Sequence, residues 1–355
     1  MSELPQRTTP IPDRPLARFF PGYFAFVMAT GVVALGCRAL GVAGAGEVLY
    51  VVAGAGYVVI AVLTVARLLR YPDRFRADLL SHAKGFAFTT AVAATEVMGT
   101  ASGLVFGWWT AAAVLWLVGV TLWVVLLYPP LIAVVLRVDK PEIGVGINGT
   151  WFLLTVSTQS VAVLGALLAP RLQSPLVAFV AATFFGLGMV LYVVVMTMVF
   201  TRWTFHRLSP DEEDPPIWIA AGAVAITTLA GSNLLLGAPA DPLLQRVAPA
   251  VELLTLVAWA TATFWLPLMV AIGVWRHVVH RMPLRYHPSY WSLVFPVGMY
   301  SLATARMRTA LDLGFLGWVP PVALGWALLA WLATFAGLVH SLTHALVRRG
   351  EEAVR

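Results

Sequence analysis

Charged residues are scarce in this chain, and cysteine is nearly absent. Only 11% of the 355 residues are charged, 60% are hydrophobic, and the mean hydropathy is +0.84. This composition lies far outside the range of soluble globular domains. The single cysteine, Cys37, excludes an internal disulfide and a thiolate metal cluster. The composition therefore predicts an integral membrane protein.

Sequence motifs for catalysis, metal binding and nucleic acid binding are also missing. No phosphate-binding loop, nucleophile elbow or zinc motif occurs. The histidines fall near predicted helix ends, so no pair is placed to hold a haem in mid-membrane. His340 and His344 have the i, i+4 spacing of a metal pair, but without a third ligand an exposed helix face is favoured. The basic residues are scattered along the chain, which argues against nucleic acid binding. We expect no enzyme activity, no metal and no cofactor.

Apolar segments long enough to cross a bilayer follow one another along almost the whole chain. A helix needs about 20 apolar residues to cross the hydrocarbon core. Ten segments meet this length, although the third and fourth abut, which leaves nine spans as the alternative. The predicted spans are 19–40, 47–69, 85–106, 107–128, 146–169, 175–200, 217–237, 247–275, 288–308 and 317–343. The predicted domain is 19–345, between tails at 1–18 and 346–355.

Lysine and arginine are distributed unevenly between the two ends of these spans. With ten spans, one side collects 18 of the 23 basic residues, and the other side collects only five arginines: Arg38, Arg171, Arg246, Arg306 and Arg308. Basic residues near span ends are enriched on the cytoplasmic side. The asymmetry therefore predicts that both termini are cytoplasmic, and it favours an even number of spans.

Polar side chains divide the spans into two sets. The odd-numbered spans contain 22 Ser, Thr, Asn, Gln, Asp and Glu residues, against 13 in the even-numbered spans. Polar groups at membrane depth are expected to face protein or water. We therefore expect five inner helices, ringed by five outer helices that face lipid and neighbouring subunits, in an all-α membrane fold.

Span 5 carries a polar stripe. Asn148, Phe152, Thr155 and Gln159 follow a 4-3-4 spacing that puts them on one helical face. This face is compatible with a neutral, hydrogen-bonding wall along which an anion passes. It is equally compatible with hydrogen bonds between helices, which such residues supply in many bundles.

Glu96 and two arginines are the ionisable candidates. Glu96 lies near the middle of span 3, where it is either a proton-coupling or gating group or a neutral acid bonded to a neighbouring helix. Arg306 and Arg308 lie at the predicted external end of span 9, where they either attract anions to a pore mouth or extend to the membrane interface. Ser301 and Thr304 share a face with Arg308 and are further pore-lining candidates.

Three segments resemble one known family. The segments "FFPGYFAFVMATGVVALG", "INGTWFLLTVSTQSVAVLGALL" and "HPSYWSLVFPVGMYSLATARM" resemble spans 1, 5 and 9 of the tellurite-resistance/dicarboxylate transporter family. That family includes bacterial TehA-like proteins, yeast malic-acid and sulfite transporters, and plant slow anion channels. The resemblance covers roughly residues 19 to 345, and the pattern around Phe295 is its most specific part.

The resemblance implies a homotrimer in which each subunit has its own pore, lined by five inner helices. It also implies that Phe295 occludes this pore at mid-membrane, with Pro296 opening the helix and aiming the ring into the path. The expected function is a plasma-membrane anion channel or transporter for C4-dicarboxylates such as malate, or for small inorganic anions. The alternative is a quinol-binding membrane-anchor subunit of an oxidoreductase, which would also have many apolar helices and no nucleotide site.

Overall fold

The fold is helical throughout the part of the chain that the structure describes. The computed structural model describes residues 15–207, 215–284 and 286–354, so most of the predicted tail 1–18 lies outside the described residues. No strand occurs in these ranges. The α-helices in these ranges are α1 (Ala25–Ala39), α2 (Ala45–Arg70), α3 (Pro72–Leu79), α4 (Thr90–Phe106), α5 (Trp109–Leu136), α6 (Ile143–Gly146), α7 (Leu153–Leu172), α8 (Pro175–Phe205), α9 (Ile219–Gly237), α10 (Pro242–Val274), α11 (Trp291–Ala310) and α12 (Val319–Val354).

Eight helical stretches in the described ranges are long and apolar enough to cross a membrane. They comprise α2, α5, α8, and the stretches Pro21–Ala39, Gly149–Leu172, Pro216–Ala240, Pro242–Val279 and Gly314–His344. Two further long helices, α4 and α11, do not reach that standard. α4 is long enough with the turn Gly85–Thr89 that precedes it, but its threonines and Glu96 lower its hydropathy, as the serines, threonines and arginines of α11 lower that of α11. The structure therefore establishes a protein with several apolar membrane helices.

The junction between predicted spans 3 and 4 is a real helix boundary. α4 ends at Phe106 and α5 begins at Trp109. Gly107 between them has a φ of +72°, in the left-handed region that glycine adopts without a steric penalty. Its N–H donates to the carbonyl of Gly103 and so closes the last turn of α4. The chain therefore reverses within two residues, and α4 and α5 are separate helices.

The long helices pack as five hairpins around a closed ring. In each hairpin a helix contacts its successor: α1 with α2, α4 with α5, α7 with α8, α9 with α10, and α11 with α12. The first members of the hairpins also contact one another in the order α1, α4, α7, α9 and α11, and α11 returns to α1.

Burial differs sharply between the two members of each hairpin. The apolar stretch that contains α7 is 100% buried and that of α9 is 89% buried, whereas α2 is 11% buried and the stretch of α12 is 17% buried. Large apolar side chains on α2 and α12, such as Leu69 and Trp326, are exposed. An exposed apolar surface of this extent is stable against lipid rather than water.

Candidate functional site

All five ring helices, or the turns that precede them, border a cavity on one side of Phe295. This lower cavity measures about 30 Å³. Its walls are mostly apolar, with a few hydroxyl groups. Residues at the cavity include Met28, Thr90, Leu153, Ile219, Ser292 and Phe295.

A polar vestibule leads into the lower cavity. It measures about 210 Å³ and shares Phe20, Thr150, Pro216 and Ser289 with that cavity. Its polar lining includes Asn148, Arg202 and His287. Arg202 is 7% exposed, and its Nε donates to the carbonyl of Gly144 at 2.9 Å. Arg202 and His287 were not among the predicted site residues. Each lies just outside a predicted span, and no sequence pattern around either residue indicates that the two line one vestibule.

A second, smaller cavity lies on the other side of Phe295. This upper cavity measures about 10 Å³, which is about the space that one water molecule needs. The same five helices border it, and its polar wall consists of Glu96, Thr100 and Ser160. Met299, one helical turn after Phe295, lies on its apolar wall. The centre of the ring is therefore tightly closed at this level.

Phe295 borders the lower cavity. Its side chain is 2% exposed. The ring packs against the backbone of Gly222 on α9, so that a Cβ at Gly222 would lie 3.1 Å from Cε1 of Phe295. The absence of a side chain at Gly222 therefore makes room for the aromatic ring inside the bundle.

Pro296 lies inside α11 rather than at one of its ends. α11 continues through Pro296 as an unbroken helix. Proline has no N–H, so the carbonyl of Ser292, four residues earlier, loses its helical hydrogen bond. The effect of Pro296 is thus a freed carbonyl within a continuous helix. This carbonyl belongs to Ser292, a residue that borders the lower cavity.

The residues of the span 5 stripe lie in two different surroundings. Asn148 precedes the helix in an extended conformation, and its side-chain oxygen accepts from the N–H of Thr150 at 2.9 Å. The ring of Phe152 lies 5.8 Å from that of Tyr192 on α8. Gln159 donates from Nε2 to the carbonyl of Phe185, also on α8, at 3.0 Å. Asn148 thus borders the vestibule, while Phe152 and Gln159 contact the outer member of their own hairpin.

Thr155 belongs to the same helical face, and its hydroxyl is buried. Its side chain is fully buried, and its Oγ1 has no hydrogen-bond partner within the described ranges. It borders neither the upper nor the lower cavity.

Ser301 and Thr304 also bond to outer helices. The hydroxyl of Ser301 donates to the carbonyl of Pro320 on α12 at 2.7 Å. Thr304 accepts from the indole N–H of Trp259 on α10 at 3.0 Å. Both side chains are fully buried. Their contacts match the role of interhelical hydrogen bonding, which the sequence analysis left open for the span 5 stripe.

Glu96 is the buried carboxyl group of the ring. It is 1% exposed, and neither carboxylate oxygen has a hydrogen-bond partner in the described part of the chain. The carboxyl group lies against the backbone of Gly119 on α5, where a Cβ would overlap Oε1. Glu96 also borders the upper cavity. It therefore lies between the ring and the outer helix α5.

Arg306 and Arg308 differ in their surroundings. Arg306 is half-buried, and its Nε donates to Oδ1 of Asn233 on α9 at 3.0 Å. Arg171, at the end of α7, lies close enough for the two positive charges to interact. Arg308 is exposed, and its Nη1 would lie 2.8 Å from a Cβ at Gly317. Positive charge is thus concentrated at the same end of the ring as the upper cavity.

No group of three or more metal-binding side chains occurs in the part of the chain that the structure describes. The rings of His340 and His344 lie 4.3 Å apart on exposed positions of α12. The ring thus encloses two small cavities, with a polar, partly basic vestibule at one end and arginines at the other.

Comparison with protein families gives one match across nearly the whole chain. The family model described as "SLAC1: Voltage-dependent anion channel" matches residues 18–339. The match includes every ring helix and both cavities.

Comparison with individual proteins gives relatives in several organisms. A membrane protein of Mycobacterium tuberculosis, uncharacterised by name, is 38% identical over 172 residues, which cover 46% of this chain and 83% of the relative. A transporter of Methanocaldococcus jannaschii, also uncharacterised by name, is 23% identical over 44% of this chain and 45% of its own length. A protein of Trichophyton rubrum named sulfite efflux pump is 22% identical over 82% of each chain.

Proposed function

The chain belongs to the SLAC1 family of voltage-dependent anion channels, and from that premise we propose that it is a plasma-membrane channel or transporter for small anions. Membership in the tellurite-resistance/dicarboxylate transporter family, predicted from spans 1, 5 and 9, is thereby confirmed. The substrates that we propose are small inorganic anions such as sulfite, and C4-dicarboxylates such as malate. The name of the fungal relative supports sulfite as the first anion to test.

We further propose that ten helices cross the membrane, five inside and five outside. The closed ring of α1, α4, α7, α9 and α11 supports the inner set, and the exposed apolar surfaces of their hairpin partners support the outer set. In this arrangement residues 19–345 form the membrane domain, with residues 1–18 and 346–355 on the cytoplasmic side. The exposed outer helices would contact lipid and, in a homotrimer, neighbouring subunits.

Phe295 is the proposed gate. The observation that carries this proposal is that one aromatic ring, packed on Gly222, borders a cavity to which all five ring helices contribute. An anion that passed through the centre of the five ring helices would have to displace the phenyl group of Phe295. Because the carbonyl of Ser292 is freed by Pro296, α11 has one backbone hydrogen bond fewer here. A local change of backbone conformation that moves Phe295 therefore costs less.

Arginines at both ends of the path support anion selectivity. Arg306 and Arg308 lie at one end, and Arg202 lines the vestibule at the other. A low-dielectric path with basic ends concentrates anions and repels cations. Between these ends the walls are mostly apolar, with Glu96 as the one carboxyl group among the described residues that line the two cavities, and an apolar wall disfavours tight binding and is compatible with rapid passage.

The test is anion flux into proteoliposomes that hold the purified protein. Malate, sulfite, nitrate and chloride are supplied in turn to the wild type and to Phe295→Ala. We expect flux at least about tenfold faster in Phe295→Ala, because the ring that fills the path is removed. The matched control is Phe152→Ala, which removes an equally buried phenylalanine that contacts α8 and borders neither cavity. Equal flux in all three proteins would contradict the gate, and no flux of any anion would contradict the pore.

Glu96 is the proposed proton-coupling or gating group. An unpaired carboxyl group at membrane depth is costly in its charged form, so such groups are functional candidates. We expect the flux of the wild type to depend on pH, and Glu96→Gln, which cannot titrate, to lose this dependence. The same pH dependence in both proteins would assign Glu96 to packing against α5.

A further inference from the structure

A basic pocket lies beside the ring, at the end of α2 and outside the path. It measures about 370 Å³. Its polar lining consists of the side chains of Arg18, Arg67, Arg74, Asp78 and Lys84. These residues come from four separate segments: the turn Pro15–Arg18, the last turn of α2, the short helix α3, and the loop before α4. The fold therefore gathers positive charges that are distant in the sequence.

Arg67 is the buried centre of the basic pocket. Its residue is only 2% exposed, although it carries a guanidinium group at the end of an otherwise lipid-exposed helix. Its Nη2 donates to Oδ2 of Asp78, but its Nε is buried and has no hydrogen-bond partner in the described ranges. A buried charged donor without an acceptor is unfavourable. The basic pocket thus contains a donor that a bound anion would satisfy.

The charges of the basic pocket do not balance. Among the described residues that line it, Asp78 is the carboxylate beside Arg67, Arg74 and Lys84, and it is shared by Arg67 and by Nζ of Lys84 at 3.0 Å. Arg74 is half-buried on the same wall. A concave site of one sign with low-dielectric walls raises the local concentration of ions of the opposite sign.

The position and the other walls of the basic pocket indicate which anion fits. Phe19, Phe20 and Pro21 provide an apolar wall beside the charged groups. α3 bears Arg74, Arg76 and Phe75, and Phe75 packs on Phe88 with ring centroids 4.8 Å apart, as in a helix that lies at a membrane surface. Guanidinium groups bind phosphate with two parallel hydrogen bonds, and basic pockets beside membrane helices bind anionic lipid head groups.

We propose that the basic pocket binds a phosphate group, as an anionic phospholipid presents it at the membrane surface. The guanidinium groups of Arg67 and Arg74 and the ammonium of Lys84 contact the phosphate oxygens, and the apolar wall faces the glycerol and acyl chains. Phe20 lines both the basic pocket and the vestibule, so the bound group lies next to the entrance of the path. The proposal does not depend on which anion is transported.

Ligand-dependent thermal unfolding of the purified full chain in detergent tests this proposal. The probes are dioctanoyl phosphatidylglycerol, dioctanoyl phosphatidylcholine as the zwitterionic control, and inorganic phosphate. We expect phosphatidylglycerol to raise the unfolding midpoint in a saturable way and phosphatidylcholine to have no such effect. If inorganic phosphate raises the unfolding midpoint at similar concentrations, the basic pocket binds free phosphate. If only phosphatidylglycerol raises it, the pocket binds the phosphate of a lipid head group.

Variants locate the binding in the basic pocket. The double variant Arg74→Gln with Lys84→Gln keeps the Arg67–Asp78 pair and removes two of the pocket charges. We expect its apparent affinity for the phosphate-bearing probe to be at least about tenfold weaker. The control Arg76→Gln removes an exposed charge from the same helix outside the pocket and leaves the affinity unchanged. Stabilisation by no phosphate-bearing probe, or equal affinity in both variants, would overturn the proposal.

Discussion

Several hydroxyl groups of the ring helices are hydrogen-bonded to aromatic residues of the outer helices. Trp123 donates to Thr158, Trp259 to Thr304 and Trp331 to Thr30, at 2.9 to 3.0 Å. Tyr57 on α2 bonds in the same way to Thr95 at 2.8 Å. In hydrocarbon these groups have no water to bond with, so each pair fixes the rotation of one helix against another. Part of the polar excess of the ring helices therefore joins four of them to the outer helix of a neighbouring hairpin.

The bond between Trp123 and Thr158 gives a direct test of this role. Thr158→Val keeps the shape of the side chain but leaves the buried indole N–H of Trp123 without its acceptor. We expect the variant to lose about 1 kcal/mol of stability, within the range of interhelical hydrogen bonds, and to keep its anion preference. Denaturant unfolding in detergent measures the loss. The control Thr121→Val removes an exposed hydroxyl that bonds only within α5 and is expected to be near neutral. Equal losses would contradict the role.

His82 gives a pH-dependent contribution to stability. It lies in the loop before α4, its Nδ1 is buried without a partner in the described ranges, and its carbonyl accepts from Nε1 of Trp151 at 3.2 Å. Burial lowers the pKa of the imidazole, and the positive charges of Arg137 and Lys140 lower it further. Below about pH 6.5 the unfolded chain therefore binds a proton that the folded chain does not, and stability falls as the pH falls.

The measurement compares unfolding midpoints of the wild type and His82→Gln at about pH 7.5 and 5.5. We expect the midpoint to fall less on acidification in the variant, because glutamine takes up no proton in either state. An equal fall in both proteins would show that other groups cause the acid sensitivity.

At the residue scale, the sequence does not predict in which direction a given face of a helix points. A 4-3-4 spacing correctly indicates that Phe152 and Gln159 share a face. It does not say whether that face meets the path or α8, because both environments suit an amide. The structure decides through the neighbour: Gly188 leaves room on α8 for the side chain of Gln159. That complementary pair is 29 positions apart in the sequence and has no local pattern.

At the element scale, helix ends were easier to predict where backbone chemistry dictates them. The boundary between α4 and α5 follows from a glycine in a left-handed conformation, and the predicted break at 106/107 matches it. The predicted start of span 5 at 146 precedes α7 by seven residues, because Asn148 caps a short turn at Gly149–Phe152 instead of continuing a helix. α11 continues past Pro296 in helical conformation, so the proline does not end the helix.

Gly149 makes the closest backbone approach at the entrance of the path. A Cβ there would overlap the backbone carbonyl of Pro216, and a backbone carbonyl cannot rotate away as a side chain can. We expect Gly149→Ala to cost at least about 1–3 kcal/mol and to disturb the vestibule, which both segments line. Thermal unfolding and anion flux measure the two effects.

The control for this substitution is Gly186→Ala. Gly186 lies within α8, and a Cβ there meets nothing within 4 Å. Because alanine favours helix over glycine, we expect this variant to gain up to about 1 kcal/mol. A loss at Gly186 equal to that at Gly149 would mean that the glycines are required for backbone freedom rather than for close approach.

At the scale of the whole molecule, the alternation of polarity along the sequence predicted two sets of helices. It did not predict that the inner set forms a closed ring. Closure depends on contacts between α11 and α1, which are more than 250 residues apart and leave no signal in composition. The same holds for the basic pocket, whose charges come from four segments. Properties that a single segment carries were predictable, whereas properties that arise where segments meet were not.

The number of crossings and the orientation can be tested together with one pair of cysteines. Val42 lies between α1 and α2, Val138 lies between α5 and α6, and both are exposed. The native Cys37 is fully buried, so it gives little background labelling. Three long helices, α2, α4 and α5, separate the two positions. If all three cross the membrane, the two positions lie on opposite sides.

We therefore expect Val42→Cys to react with a membrane-impermeant maleimide in intact cells, and Val138→Cys to react only after permeabilisation. The first result follows from the excess of basic residues on the side of Val138, which is predicted to be cytoplasmic. The reverse pattern would invert the orientation and keep the count. Labelling of both positions from one side would mean that α4, with its 17 residues and its buried glutamate, does not cross, and the ten-helix arrangement would fall with it.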